Sequence, residues 1–197
     1  MQTDSQNWAP LNLRPIILCI AGSNGAGKTT FYETFLHNSG LTYINPDKLA
    51  LNLSIESEEA TKIANNLRTE LIRQKESFIF ETVLSDPVGD KIRFLADAQT
   101  QGFHVEMIFI AINSAQTSDQ RVSMRVSQGG HDVPSEKIIQ RFPRTLENLK
   151  RAIKILPRVS VFDNSDIAHP YRLVAQYEKG ALSTDPDSMP AWQIFFH

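Results

Sequence analysis

One cysteine, Cys19, stands in a chain of 197 residues, so neither a disulfide nor a thiolate metal cluster forms within one copy. Its place inside the apolar run Ile16–Ala21 marks it as a small core residue. The histidines His37, His104, His131, His169 and His197 lack ligand spacing, which leaves no histidine metal centre to expect. His131 reads as a loop-positioning residue. No apolar stretch approaches the ~20 residues needed to span a bilayer. Met1–Pro15 has neither the basic nor the apolar region of a signal peptide. The expectation is a cytoplasmic protein with no membrane contact. A net charge of −2 offers no broad basic footprint, which argues against a nucleic-acid partner. Repeats and low-complexity segments are absent.

The sequence does contain a complete phosphate loop. Gly22, Ser23, Asn24, Gly25, Ala26, Gly27, Lys28 and Thr29 spell G-x-x-x-x-G-K-T, and Thr30 follows. An apolar strand precedes it and a helical stretch from Lys28 to about His37 follows, the context such a loop requires. Its backbone N–H groups would face the phosphates of ATP, with the positive end of the helix behind them. Lys28 would reach the β- and γ-phosphates, and the Thr29 hydroxyl would hold Mg²⁺.

Further apolar runs at Leu41–Ile44, Phe78–Phe80, Val105–Ile112 and Val159–Phe162 alternate with helical patterns. Between Glu56 and Lys75, the positions Ala60, Ile63, Leu67 and Leu71 mark one helix face. Asn45-Pro46 and Asp86-Pro87 both read as a cap followed by proline at a helix start. This rhythm predicts an α/β protein of the P-loop NTPase type: a five-stranded parallel sheet with helices on both faces. Tyr171–Lys179 and Ala191–Phe196, joined around Asp185-Pro186-Asp187, predict a small C-terminal β-hairpin. The chain is read as one domain over residues 1–197, with an N-terminal extension at 1–14, a lid-bearing segment at 115–155 and the hairpin at 170–197.

In such sheets ligands sit beyond the carboxyl ends of the strands. Asp47 stands there after the second strand, where a carboxylate orients an acceptor hydroxyl and takes its proton, or simply favours a helix N-terminus. Glu81 and Thr82 end the third strand. Glu81 either organises the Mg²⁺ water shell or accepts hydrogen bonds from substrate hydroxyls. Between Arg121 and Arg158 nine basic residues face three acidic ones. Arg121 and Arg125 share a helix face, Asp132 is placed to cap a helix starting near Pro134, and Arg141 and Arg144 flank Phe142-Pro143, where a kink is expected. Two arginine-bearing helices joined by Gly129-Gly130 suit a closing lid over a triphosphate. A solvated basic face accounts for Lys150, Arg151 and Lys154.

The ordered set Ala-Gly-Ser-Asn-Gly-Ala-Gly-Lys-Thr-Thr (21–30), Ile-Asn-Pro-Asp (44–47), Phe-Glu-Thr (80–82), Arg-Val-x-x-Gly-Gly-His-Asp-Val-Pro (125–134) and Phe-Asp-Asn-Ser (162–165) resembles the zeta-toxin-like P-loop kinases. The resemblance implies transfer of the γ-phosphate of ATP to a small-molecule hydroxyl, possible acceptors including a nucleotide sugar such as UDP-N-acetylglucosamine. It implies Asp47 as catalytic base, Glu81 and Thr82 as acceptor contacts, Arg125 and Arg141 as lid arginines on the phosphates, and Asn164 near the adenine. It also implies an antitoxin as a partner, which one chain does not reveal. The competing reading is a nucleotide-dependent switch acting through a protein partner; two acids at strand ends facing an acceptor pocket argue for the kinase.

Overall fold

The computed structural model describes residues 11–127, 129 and 132–183. The expected positions of His131 and Gly130 and of the strand Ala191–Phe196 lie outside these residues. Seven strands form one sheet: β1 (Ile16–Ala21), β2 (Thr42–Ile44), β3 (Phe78–Thr82), β4 (His104–Ala111), β5 (Arg158–Asp163), β6 (Arg172–Glu178) and β7 (Ala181–Leu182). Their order is β2-β3-β1-β4-β5-β6-β7. The first five are parallel, as the alternating pattern predicts. β6 and β7 add antiparallel strands to the β5 edge. The hairpin therefore extends the sheet, and β6 turns directly into β7 at Lys179-Gly180.

Every residue of β1 is buried, because both faces of a parallel sheet are covered and a continuous apolar run is what that demands. Alternate side chains enter different cores. Ile17, Cys19 and Ala21 join the layer of Ala64, Leu95, Leu149 and Ala152. Ile16, Leu18 and Ile20 join Phe31, Tyr32 and Leu36 on the other face. Burial pushes the Cys19 thiol up to about 12, so it is an unreactive core group.

Among the described residues six α-helices accompany the sheet: α1 (Lys28–Phe31), α2 (Pro46–Leu53), α3 (Ser57–Arg73), α4 (Asp90–Thr100), α5 (Ala115–Ser127) and α6 (Ser135–Ile155). α1 widens into a π-helical turn over Tyr32–Leu36. Asn45 caps α2 as expected, its Oδ1 accepting from the Asp47 and Lys48 N–H groups at 2.9 and 3.2 Å. Three local expectations need correction. α4 begins at Asp90 rather than at Pro87, after Gly89 in the left-handed region, and Asp86 caps it from four residues back, Oδ1 to the Asp90 N–H at 2.5 Å. Asp132 does not cap α6, which starts from Pro134 with no side-chain cap. The buried stripe of α3 is Ala60, Ala64, Arg68 and Ile72, offset from the face that apolar spacing selects. Among the described residues, no helix is long and apolar enough to cross a membrane.

Candidate nucleotide and acceptor site

The phosphate loop leaves the carboxyl end of β1 and is held from behind. Asn164, after β5, donates from Nδ2 to the Ala26 carbonyl at 2.8 Å. Tyr171, before β6, donates its hydroxyl to the Gly27 carbonyl at 2.9 Å. Gly27 has φ 94°, and a Cβ there would lie 2.6 Å from Asn164 Nδ2 and 2.8 Å from the Tyr171 hydroxyl. Only glycine satisfies both the conformation and the space. Ser118 of α5, fully buried, donates its hydroxyl to the Asn24 carbonyl. The loop is thus braced by two segments distant in sequence, which fixes the direction of its N–H groups.

Lys28 donates to the Gly22 and Ser23 carbonyls at 3.0 and 2.9 Å. Desolvation pulls its pKa below the usual lysine range, while the Glu81 and Asp47 carboxylates oppose that shift. Glu81 is only 8% exposed, and burial pushes its carboxyl up against the opposing pull of Lys28. Its Oε2 accepts from the Thr29 hydroxyl at 3.2 Å, and its Oε1 accepts from the Tyr43 hydroxyl. Burial, then the Glu81 charge, raises the Tyr43 phenol, so Tyr43 stays a donor. Asn45 closes the network, its Nδ2 donating to Thr29 Oγ1 at 3.4 Å and to the Tyr43 hydroxyl at 3.2 Å. A hydroxyl and a carboxylate fixed together beside a phosphate loop are the oxygen donors that Mg²⁺ takes. The residues fit both ATP and its metal, with Thr29 and Glu81 placed to hold the ion directly or through water.

The surrounding cavity has a volume of ≈ 590 Å³. Asn24, Gly25, Gly27, Lys28, Thr29 and Thr30 line it from the loop, Asp47, Glu81 and Thr82 from the strand ends, and Arg125 from α5. Asp47 is exposed to it. Thr82 faces it while its hydroxyl accepts from the Leu84 N–H at 3.0 Å. Other expected residues stand elsewhere. Gly22, Ser23 and Ala26 sit behind the lining, and Asn164 braces the loop backbone. Arg141 lines an adjoining cleft of ≈ 370 Å³ with Arg144, next to Thr82, Val83 and Lys91, which border both spaces.

The expected lid helices are fastened to the body at defined points. α5 packs on the phosphate loop through Ser118 and Val122, both buried, and a Cβ on Gly25 would lie 2.8 Å from the Ser118 carbonyl. α6 runs through Pro143. Thr145 donates to the Val83 carbonyl at 2.9 Å, and Asn148 to those of Leu84 and Asp86 at 2.9 and 2.8 Å. These bonds tie the β3–α4 loop to α6 and hold Arg141 one turn away.

Sequence reasoning missed a second wall. Thr61, Asn65 and Arg68 of α3 and Lys91 of α4 line the cavity as well. Arg68 is 4% exposed, with its guanidinium carbon 4.8 Å from the Phe80 ring centroid and 5.5 Å from that of Phe94. Desolvation lowers its pKa, yet an arginine remains charged. Its Nε has no hydrogen-bond partner, an arrangement costing about 1–3 kcal/mol. Apolar spacing selects 60, 63, 67 and 71 instead of the buried 60/64/68/72 stripe, so the sequence carried no clear signal for Arg68.

The zeta toxin family matches residues 2–174. An uncharacterized protein of Haemophilus influenzae (strain Rd) is 27% identical over 140 residues, 68% of this chain and 96% of that protein. Among solved structures, the AvrRxo1-ORF1:-ORF2 complex with ATP gives a TM-score of 0.70 at 18% identity, covering 89% of this chain and 62% of that one. This chain thus spans less than two thirds of that protein's length. The PezAT chromosomal toxin–antitoxin system of Streptococcus pneumoniae gives 0.60 at 15% identity, covering 95% of this chain and 80% of that one. These likenesses establish the fold, while the family match extends through the phosphate loop, Asp47, Glu81 and Asn164. The chain belongs to the zeta toxin family of P-loop kinases.

Proposed function

We propose that this protein transfers the γ-phosphate of ATP to a hydroxyl of a small molecule, with a nucleotide sugar such as UDP-N-acetylglucosamine as the first acceptor to test. One observation carries the reading: a single cavity joins the phosphate loop to the exposed carboxylate of Asp47 and to Glu81 and Thr82. The ATP-bound AvrRxo1 complex shares the fold, which supports ATP as the donor. In the proposed step the acceptor oxygen bonds to the γ-phosphorus, the bond from that phosphorus to the bridging oxygen breaks, and ADP leaves. Asp47 orients the hydroxyl and accepts its proton late in the transfer. Lys28 and Arg125 stabilise charge on the transferred group, with Arg141 entering from the adjoining cleft. Thr29 and Glu81 would hold Mg²⁺, whose chemistry there would be neutralisation of phosphate charge.

Two solved relatives of this fold are two-component assemblies, one described as toxin–antitoxin. They support an antitoxin partner for this chain.

Transfer from γ-labelled ATP with Mg²⁺ tests the proposal, on UDP-N-acetylglucosamine and on a metabolite extract. Asp47→Asn should bind ATP normally and lose about 10²–10⁴-fold in transfer rate. Lys28→Ala should weaken ATP binding about ten- to a hundredfold, the loss expected for charge-assisted phosphate contacts. Transfer by Asp47→Asn at the wild-type rate would remove the base. Release of free phosphate alone, indifferent to that substitution, would replace the kinase with a nucleotide switch.

A further inference from the structure

The charges on the second wall are only partly balanced by protein. Arg68 has no carboxylate within ion-pair distance among the described residues, and its Nη2 donates to the Asn65 Oδ1 oxygen. Lys91 donates to that same oxygen at 3.5 Å. Two cations therefore converge on one neutral amide. Lys91 is drawn down in pKa by burial and then by Arg68, with Asp86 and Asp90 opposing. Asp90 pairs with Arg93, and Asp86 accepts from the Asp90 N–H through Oδ1 while its buried Oδ2 has no hydrogen-bond partner. Neither acid forms an ion pair with Lys91 or Arg68 among the described residues.

A buried cation is retained at a cost unless something compensates it. Here the compensation is incomplete, and the guanidinium packs against the Phe80 and Phe94 rings, which stand perpendicular to each other. A planar guanidinium that lines a cavity with its Nε unpartnered is suited to recognising phosphate or carboxylate. The residues of the second wall belong to α3 and α4 and not to the phosphate loop, although both line the same cavity. α3 and α4 immediately precede and follow β3, whereas the phosphate loop follows β1. The second wall thus adjoins Glu81 and Thr82, on the side assigned to the acceptor.

We propose that Arg68, Lys91 and Asn65 form an oxyanion-binding subsite, and that the molecule phosphorylated carries a phosphate or carboxylate group besides its hydroxyl. The role of the subsite rests on the kinase reading above, but its existence is testable by binding alone.

The experiment saturates the phosphate loop with Mg²⁺ and the non-hydrolysable analogue AMPPNP. Glucose 1-phosphate, gluconate and glucose are then titrated calorimetrically. One or both anions should bind at least about tenfold more tightly than glucose, the increment of one charge-assisted hydrogen bond. Arg68→Gln and Lys91→Gln should each remove most of that preference, and Arg68→Lys should restore part of it. AMPPNP affinity should stay within about twofold in Arg68→Gln, since Arg68 does not belong to the phosphate loop. Preference for glucose 1-phosphate alone identifies a phosphate group, and preference for gluconate alone a carboxylate. Equal or undetectable binding of all three would overturn the subsite, as would a preference surviving in both variants. If Arg68→Gln fails to give a cooperative melt, Lys91→Gln decides. Anion preference without label transfer to any acceptor would keep the subsite and reject the kinase. Transfer confined to uncharged compounds would keep the kinase and overturn the subsite's role.

Discussion

Two buried glutamates, Glu81 and Glu106, lie in the same sheet and are used differently. Glu81 sits near the carboxyl end of β3, Glu106 in the amino-terminal half of β4. Burial pushes both carboxyls up. Glu81 receives hydrogen bonds on both oxygens, from Thr29 and Tyr43, and faces Lys28. Glu106 is 1% exposed. Its Oε1 accepts from Ser160 at 3.1 Å, its Oε2 has no partner, and Arg158 stays 3.9 Å away. Glu106 is therefore raised to about 7, while Arg158 and Ser160 only partly oppose burial. At Glu81 two donors and Lys28 oppose the effect of burial, whereas Glu106 has one donor, a guanidinium 3.9 Å away and an oxygen without a partner. At the carboxyl end donors meet both oxygens of the buried acid; at the amino end Arg158 stands 3.9 Å from both Glu106 and Glu178.

The largest effect that would break this comparison is catalytic. Glu81→Gln should lower phosphate transfer by about 10²–10³-fold, as expected for losing a preorganised charge next to the reacting phosphates. Glu106→Gln should leave the transfer rate intact. Equal losses in both, measured as steady-state rates with γ-labelled ATP, would erase the distinction.

A middle effect concerns pH. The Glu106 carboxyl holds its proton up to about 7 in the folded chain, against 4.5 for an ordinary glutamate. The folded state therefore binds more protons between those values, and stability falls as pH rises through that window. The stability that the protonated group contributes is fully present below about 4.5 and is lost once pH passes about 7. Denaturant midpoints at pH 5 and pH 8 should show a loss of order 2 kcal/mol at the higher pH, and Glu106→Gln should flatten it. A wild-type profile with no decline across the window would show that the acid ionises freely.

The smallest effect tests the bracing of the loop. Asn164→Ala removes one hydrogen bond to the Ala26 carbonyl and should weaken ATP binding roughly fivefold, about 1 kcal/mol. Unchanged ATP affinity by calorimetry would mean that the loop holds its shape without it.

Much of the fold was legible because local chemistry and global arrangement agree. The six apolar residues of β1 and the glycines of its loop have few alternatives, and the spacing of later runs gives the parallel order. Asp47 and Glu81 were accessible for the same reason, since strand ends are readable positions. What stayed hidden was either non-local or disguised. Tyr43 meets Glu81 across 38 positions in sequence, and its alternation in β2 carries no sign of that. Arg68 looked like a polar-face residue because Ile63, Leu67 and Leu71 fall at helical spacing one step away. Asn164 was legible as a residue after a strand, but its grip on Ala26 depends on β5 lying two strands from β1. The early start expected for α4 came from giving Asp86-Pro87 a helix opening, when Asp86 reaches forward to Asp90 instead.

Tyr171 holds a left-handed backbone conformation, φ 56°, which a residue with a Cβ enters at a cost of order 1 kcal/mol. Its ring stands edge-on to Phe31 and Phe35, with centroids at 5.3 and 5.7 Å, and its hydroxyl reaches the Gly27 carbonyl. The antiparallel strand that begins one residue later is thereby tethered to the nucleotide loop at the far end of the sequence. Docking of β6 and the shape of the phosphate cradle become a single event, so a folding intermediate lacking this strand would also lack a finished nucleotide site.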